Sequence, residues 1–493
     1  MRYGFVLDQD RCIGCHACTV ACKEEHQVPV GVFRTWVKYV EKGEFPHTSR
    51  HFGVMRCNHC DSAPCIEICP TNALYRRSDG IVDFDNARCI GCKSCMQACP
   101  YDALYIDSNT NTAAKCNFCA HRIEANLEPA CVIVCPTQAI IAGDLDNPAS
   151  KASRIVATEK VSVRKPHKGT EPKLYYKGIE GDLLEPTRLS RQNTYIFADQ
   201  QDGRDTEKTF DSTLTREVYD VAHPAPWGWK ISTYLWTKSI AAGTMLVASL
   251  VASVGVYLPI FNADVVLPAI SLIALGLTML LLVLDLKRPD RFFYLLTKPN
   301  FRSWLVLGSY ILMAYGTVTA IWLVQGFSGQ HINLALKWIT WILALGSAGY
   351  SAFLFAQAKG RELWHSSLFF FHLLVQAMMA GTAIVAVADL WNDWDILRSV
   401  AARSLRIWMV IHLVMIFGEI LLPHSNQDAR KAMRSIVSGR WRMRFWGITL
   451  TLCTLIPLII LPASPVLGSL LTLAGLWFWD DLWVKAGQSV PLS

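Results

Sequence analysis

Beyond residue 135 the chain has almost no cysteine: of its seventeen, sixteen lie between Cys12 and Cys135, and only Cys453 lies further on. Cysteine chemistry is therefore confined to the N-terminal part. Before about residue 226 there is no long apolar run, which excludes a membrane span there. The opening MRYGFVLDQDRC lacks an apolar h-region, a twin arginine and a cleavage site, so export of the cysteine-rich part is not expected. The irregular spacings of a small secreted disulfide framework are missing too. No basic stripe interleaves with aromatics, so no nucleic acid is expected as a partner, and the net charge of +7 reads as loop charge near a membrane.

What is present is four cysteine runs: Cys12, Cys15, Cys18, Cys22; Cys57, Cys60, Cys65, Cys69; Cys89, Cys92, Cys95, Cys99; and Cys116, Cys119, Cys131, Cys135. The C-x2-C-x2-C-x3-C spacing is that of [4Fe–4S] proteins, where three cysteines hold one cube and the fourth reaches a neighbouring cube. Runs must then come in pairs. The second and third runs are close in sequence and form an inner pair, so the first and fourth pair around it. The expected ligand sets are Cys12, Cys15, Cys18 with Cys135; Cys22 with Cys116, Cys119, Cys131; Cys57, Cys60, Cys65 with Cys99; and Cys69 with Cys89, Cys92, Cys95. The first run departs from a simple ferredoxin, because Lys23 rather than proline follows Cys22. Zinc is the competing reading. It prefers isolated four-ligand sets, which triple C-x2-C-x2-C runs suit poorly. Short β-rich stretches such as GIVDFDNARC and DALYIDS complete an α+β ferredoxin-like core, held by its clusters more than by apolar area.

From Trp229 onward, eight stretches approach the length needed to cross a bilayer: about 231–257, 266–286, 303–325, 335–357, 364–388, 404–422, 445–461 and 465–484. PASP separates the last two, which leaves one kinked unit or a tight hairpin open. The fold class is thus an α+β ferredoxin-like cluster domain fused to an all-α membrane bundle of about eight transmembrane helices. The divisions are 1–150 for the four-cluster domain, 151–226 for an extended connector, and 227–493 for the membrane anchor. The connector is polar. KLYYKG within it is apolar enough to pack, and a strap lying on a partner subunit is expected. Loops on the side of the N-terminal domain, such as DLKRPDRFFYLLTKPNFRS and DARKAMRSIVSGRWRMR, hold more Lys and Arg than opposite loops such as LWNDWDILRSVAARSLR. The cluster domain and both termini are therefore expected on the cytoplasmic side of a prokaryotic membrane.

The order of the four runs, with CNFC opening the last, resembles the four-cluster electron-transfer subunits of molybdopterin oxidoreductases of the dimethyl sulfoxide and polysulfide reductase type. The resemblance covers about residues 1–180. It implies that the cluster on Cys12, Cys15 and Cys18 faces a separate catalytic subunit, and that the one on Cys89, Cys92 and Cys95 lies nearest the membrane. PWGWKISTYLWTKSIAAG and LDLKRPDRFFYLLTKPNFRSWL are similar to the polysulfide-reductase-type (NrfD-like) anchor, over about residues 225–485. That family implies eight helices, no haem and reaction with a quinone, menaquinone or ubiquinone. WTKS departs from the small residues common there, which draws attention to Lys238.

Quinone chemistry needs protons, hence polar groups inside the membrane near the clusters, and intramembrane ionisable groups suggest function. The candidates are Lys238, Asp285, Tyr310, His412 and Glu419, with Tyr350, His365 and His372 nearby in sequence. Each has a plainer reading. Lys238 can snorkel or pair with Asp285, Asp285 can cap its span beside Arg288, and the tyrosines can be packing aromatics. His365 reads as interfacial. His372 and His412 could ligate a b-type haem, against which the resemblance argues. His412 and Glu419 share one helix face and could relay protons. Cys453 reads as an ordinary membrane residue. The expected function is electron transfer through four [4Fe–4S] clusters between a separate catalytic subunit and membrane quinone. A cluster-driven proton- or ion-translocating module is the alternative.

Overall fold

The computed structural model describes residues 1–44, 46–178, 181–191, 215–253, 262–330, 332–388, 395–422, 424 and 426–493. Strand β1 (Tyr3–Asp8) alternates across its sheet. Phe5 and Leu7 enter the cysteine-rich core, while Val6 meets Ile141, Ala152 and Ile155 on the other face. Helix α1 (Ala17–His26) carries the last two cysteines of the first run, Cys18 and Cys22, and β2 (Thr35–Glu44) and β3 (His47–Arg56) form a long hairpin behind it.

The second and third runs repeat one unit. In the second, α2 (Pro64–Glu67) leads to the antiparallel pair β4 (Leu74–Arg76) and β5 (Val82–Phe84). In the third, α3 (Ser94–Ala98) leads to β6 (Leu104–Asp107) and β7 (Thr112–Lys115). The fourth run carries α4 (Ala130–Ile133) and ends in β8 (Ile140–Asp144), which pairs with β1. Helix α1 packs on α4, and α2 packs on α3, so the outer runs meet each other around the inner pair.

Part of the expected connector is woven into this half. Helix α5 (Lys151–Thr158) covers β1, and β9 (Val161–Ser162) pairs with β10 (Leu174–Lys177), which runs parallel to β1. KLYYKG thus packs on its own chain: Leu174 and Tyr176 are buried on one face of the strand. Strand β11 (Ser190–Arg191) lies beside β12 (Thr215–Tyr219), which pairs with β2. The stretch ADQQDGRDTEKTF lies outside the described residues.

The second half is helical. Its main helices are α6 (Trp229–Ser253), α7 (Leu267–Asp285), α8 (Trp304–Phe327), α9 (Leu334–Ala356), α10 (Phe369–Ala388), α11 (Asp395–Leu421), the amphipathic α12 (Gln427–Val437) and α13 (Pro465–Gly487). Among the described residues five helical segments are long and apolar enough to cross a bilayer: Asp264–Asp285, Trp304–Phe327, Leu334–Ala356, Phe369–Ala388 and Val400–Leu421. Helix α11 begins at Asp395, well before the expected 404, so much of LWNDWDILRSVAARSLR is helix rather than loop. Ala401, Leu405 and Met409 recur every four residues and are buried, which carries the helix through the arginines. The last two expected spans form a tight hairpin. A π-wound stretch Arg444–Leu455 continues as Ile456–Ile460, turns, and packs against α13.

Helices α6 and α10 approach very closely. A methyl group on Gly243 would lie 1.8 Å from the carbonyl oxygen of Ala377, and one on Gly381 would lie 2.0 Å from the carbonyl oxygen of Gly243. Small residues permit this backbone contact, the usual basis of helix association in lipid.

Candidate functional site

The cysteine loops share one backbone device. In CIGC of the first and third runs, Gly14 and Gly91 have φ of +69° and +68°, and the residues after the second cysteine, His16 and Lys93, have φ of +61° and +64°. In CNHC and CNFC, His59 and Phe118 have φ of +44° and +62°. Successive left-handed residues turn amide N–H groups toward a common centre, the concavity suited to anionic groups. Several amides donate to cysteine sulfur: Gly91 and Ala113 to Cys89, each at 3.4 Å, and Ala139 to Cys135 at 3.2 Å.

The thiols gather in groups. Cys12 neighbours Cys15 and Cys135. Cys22 neighbours Cys116, Cys131 and Cys119, more than ninety residues away in the chain. Cys65 neighbours Cys57, Cys60 and Cys99, and Cys95 neighbours Cys69, Cys89 and Cys92. Cys18 lies near Cys12 but also near Cys131, because the outer groups adjoin. All seventeen cysteines are free thiols. Among the described residues no three His, Cys, Asp or Glu side chains converge on a single metal ion. Thiolates around one zinc would sit about 3.8 Å apart, given a Zn–S distance of about 2.3 Å, whereas an iron–sulfur cube spreads them wider. Burial pushes the Cys18 and Cys99 thiols up to about 11, so bare thiolates would be unfavourable there. Buried donor atoms of Thr19, Arg56, Asn58 and Ser94, beside the cysteines, find no partner among the described residues. The residues fit iron–sulfur clusters, whose sulfides would accept from such donors.

The two ends of the array differ. At the outer end Cys15 is exposed, Cys12 and Cys135 are half-buried, and Ile13, Val20 and Ile133 stand in the open around them. At the inner end the third run is gripped by the helical half. The amides of Lys287 and Arg288 donate to the carbonyls of Gly91 and Ile90, each at 3.2 Å, and Arg291 donates to the carbonyl of Cys89 at 3.1 Å. Asn300 and Ser303 donate to the carbonyls of Cys69 and Ile68 at 2.8 and 2.7 Å. A side chain at Gly91 would strike Lys287, so this position needs glycine for both its positive φ and the contact.

Below the third run is an open cleft of about 700 Å³, counting its mouth. Cys92 and Ser94 form one wall; Tyr234, Asp285, Phe292 and Tyr350 are among the residues of the others. Asp285 does not pair with Lys238. Its carboxylate lies 2.7 Å from Lys93 Nζ, inside the third run, which ties the end of α7 to the cysteine loop. Lys238 is fully buried, donates to the carbonyl of Ala348 at 2.9 Å and to Ser351 Oγ at 2.7 Å, and lies over the Tyr350 ring. It is too enclosed to snorkel, and the carboxylate it feels is that of Asp480. Tyr310 points away from the cleft: it is 37% exposed and lies against Phe301.

A second polar group lies elsewhere in the bundle. The rings of His372 and His412 meet edge to face at 5.4 Å, with Trp479 stacked on His372. His372 Nε2 is 4.0 Å from Glu419, which accepts from Ser366 Oγ, and among the described residues neither ring nitrogen of either histidine finds a hydrogen-bond partner. His365 sits at the edge, 3.7 Å from Glu362.

The family of polysulphide reductase, NrfD, matches residues 217–478, which is 262 of the 493. The chain belongs to the polysulphide reductase NrfD family. Its other part matches 4Fe-4S dicluster domains over residues 11–73 and 49–145. A tetrathionate reductase subunit of Salmonella typhimurium is 45% identical over 189 residues, covering 38% of this chain and 76% of that protein. Protein NrfC of Escherichia coli is 44% identical over 178 residues, covering 36% and 80%, and a polysulfide reductase chain of Wolinella succinogenes is 41% identical over 177 residues, covering 35% and 93%. These relatives match little more than a third of this chain, so it is an iron–sulfur electron-transfer chain and an NrfD-type membrane domain in one polypeptide, a subunit of an oxidoreductase.

In this NrfD-type chain, sequence reading missed Lys93, Asp480 and Trp227, whose indole donates to the carbonyl of Cys92 at 3.4 Å. Asp480 carried a signal: WFWDDLW puts carboxylates inside an apolar span, as Glu419 is. Lys93 carried none, because a lysine in a cysteine loop reads as exposed.

Proposed function

We propose that this chain carries electrons between a separate, molybdopterin-containing catalytic subunit and membrane quinone, menaquinone or ubiquinone, through four [4Fe–4S] clusters. The ligand sets are Cys12, Cys15, Cys18, Cys135; Cys22, Cys116, Cys119, Cys131; Cys57, Cys60, Cys65, Cys99; and Cys69, Cys89, Cys92, Cys95. When bound, these clusters supply one-electron steps. The cleft beneath Cys92 carries the reading: one wall is a cysteine loop and the others belong to the membrane bundle, so a quinone head there would lie beside the innermost cluster.

The chain's own residues then have distinct tasks. Asp285 and Lys93 hold cleft and cysteine loop in register. Tyr350 lines the cleft, and Lys238 and Ser351 lie behind it as the polar route by which a proton reaches the quinone oxygen. Glu419, His372 and His412 pass protons toward Asp480 and Lys238. Apolar Leu282, Leu295 and Leu312 keep the rest of the cleft dry. Exposed Ile13, Val20 and Ile133 around Cys15 suit the catalytic subunit's docking face. The charged loops that touch the cluster half support a cytoplasmic orientation of that half and of both termini, with about eight helices crossing the membrane. The domains divide as 1–150, 151–226 and 227–493.

The test adds a reduced short-chain quinol to the purified full chain and follows bleaching of the cluster absorbance. Partial reduction is expected, lost on blocking the cleft with Ser309→Trp. Clusters that dithionite reduces but quinol never does would refute the quinone site. The translocation reading has less support. Among the described residues, the buried charged and histidine side chains of the long helices, Lys238, His372, His412, Glu419, Asp480 and Asp481, stand in the halves of those helices that lead to the loops beside the cluster half.

A further inference from the structure

Arg56 is fully buried at the end of β3, in the middle of the cysteine array. Its Nη1 donates to Cys131 Sγ at 3.1 Å. Among the described residues its Nε and Nη2 find no acceptor, and no carboxylate comes within ion-pair distance. The guanidinium lies 4.5 Å over the Phe5 ring, which stacks on Phe118 at 4.0 Å, so aromatic rings dry this side of it. Its electrostatic neighbours are thiols: Cys131, Cys116 and Cys18, with Cys22 also within its field.

Other buried cations near the array are answered differently. Lys93 is neutralised by Asp285, Lys173 by Asp61, and Lys115 is directed at the carbonyls of Val82 and Cys116. An arginine stays charged at any ordinary pH, and an isolated buried charge is costly unless something of opposite sign balances it. In Arg56 that balance is left to the cysteine sulfurs and whatever they hold.

We infer that Arg56 is a potential-setting residue: its fixed positive charge and its bond to Cys131 raise the reduction potential of the cluster on Cys22, Cys116, Cys119 and Cys131. Reduction adds one negative charge to that cluster, and a cation in a dry, low-dielectric setting favours the more negative state. Net charge and hydrogen bonds to sulfur are the levers by which a protein tunes such clusters. A smaller rise falls on the adjoining cluster through Cys18. The electron therefore rests more readily near the outer end, beside the docking face. The inference rests on the four-cluster assignment.

The experiment is a redox titration of the full chain in its native complex, followed by paramagnetic resonance, for the parent, Arg56→Lys and Arg56→Gln, with iron measured in each. With all clusters loaded, one midpoint potential should fall, slightly in Arg56→Lys, where the charge is kept but drawn back, and further in Arg56→Gln. The other midpoints should move less. If Arg56→Gln does not assemble, the small selective fall in Arg56→Lys still carries the inference. Unchanged midpoints in a fully loaded variant, or an equal fall in every cluster, would overturn it. A parent that titrates fewer than four centres would instead refute the cluster assignment.

Discussion

In the cluster half the interior is made of thiols and cations. Cys18, Cys65, Cys95 and Cys131 stand in the same buried core as Phe5 and Ile68, and Arg56 and Lys115 lie fully enclosed nearby. In the membrane half the interior is apolar, with backbones in contact at Gly243 and Gly381, small Ala241, Ala344 and Ala380 fully buried, and the large rings of Trp322, Trp364 and Trp483 enclosed. Its buried ionisable groups gather near the cluster side. The first interior is built around what it holds; the second is built on itself. The first should depend on iron, the second on backbone proximity.

Removing iron should separate the halves most sharply. Chelation of the full chain should unfold the region before residue 226, because metal binding there is folding free energy, and leave the helical half intact. Limited proteolysis beside circular dichroism would read this; equal resistance of both halves would break the comparison. Next comes Gly243→Val, whose side chain would enter the Ala377 carbonyl. A cost of about 1–3 kcal/mol or more is expected, read as a lower unfolding temperature of the membrane half with unchanged cluster signals. Cys22→Ser should remove the cluster of the fourth run, lowering iron by about a quarter if four clusters are present, while the helical half unfolds as before. Asp285→Asn weakens the tie to Lys93. Quinol-driven cluster reduction should slow by about 10–100-fold with iron content unchanged, the scale of misplacing a reacting group. Tyr310→Phe should change stability by less than about 0.5 kcal/mol and leave turnover alone, since the ring faces outward.

The cysteine spacing made most of the cluster half legible. The repeated spacing pointed to iron–sulfur domains, and the packing of α1 on α4 places Cys22 near Cys116, Cys119 and Cys131 across a long separation. The helices were legible because apolar runs of bilayer length carry their own period. Contacts between the halves were not. Lys93 with Asp285, and Asn300 with Cys69, join residues whose types give no sign of their partners. The suggested pairing of Lys238 with Asp285 failed for a related reason: depth in a span can be counted from sequence, but the face of the helix it occupies depends on packing. KLYYKG was read as apolar enough to pack, yet its parallel pairing with β1 depends on a strand far away in sequence.

The grip of residues 287–303 on the second and third runs has a consequence for assembly. The relatives similar to the cluster half match only about 35–38% of this chain, so the membrane domain is additional to what they share with it. Here a covalent link holds the two surfaces at a high effective concentration, of order millimolar or above for short tethers. The spacing between innermost cluster and cleft is then insensitive to dilution and to the relative expression of two separate genes. Loss of the outer catalytic partner would leave this junction intact, and only the exposed end around Cys15 would answer to mass action.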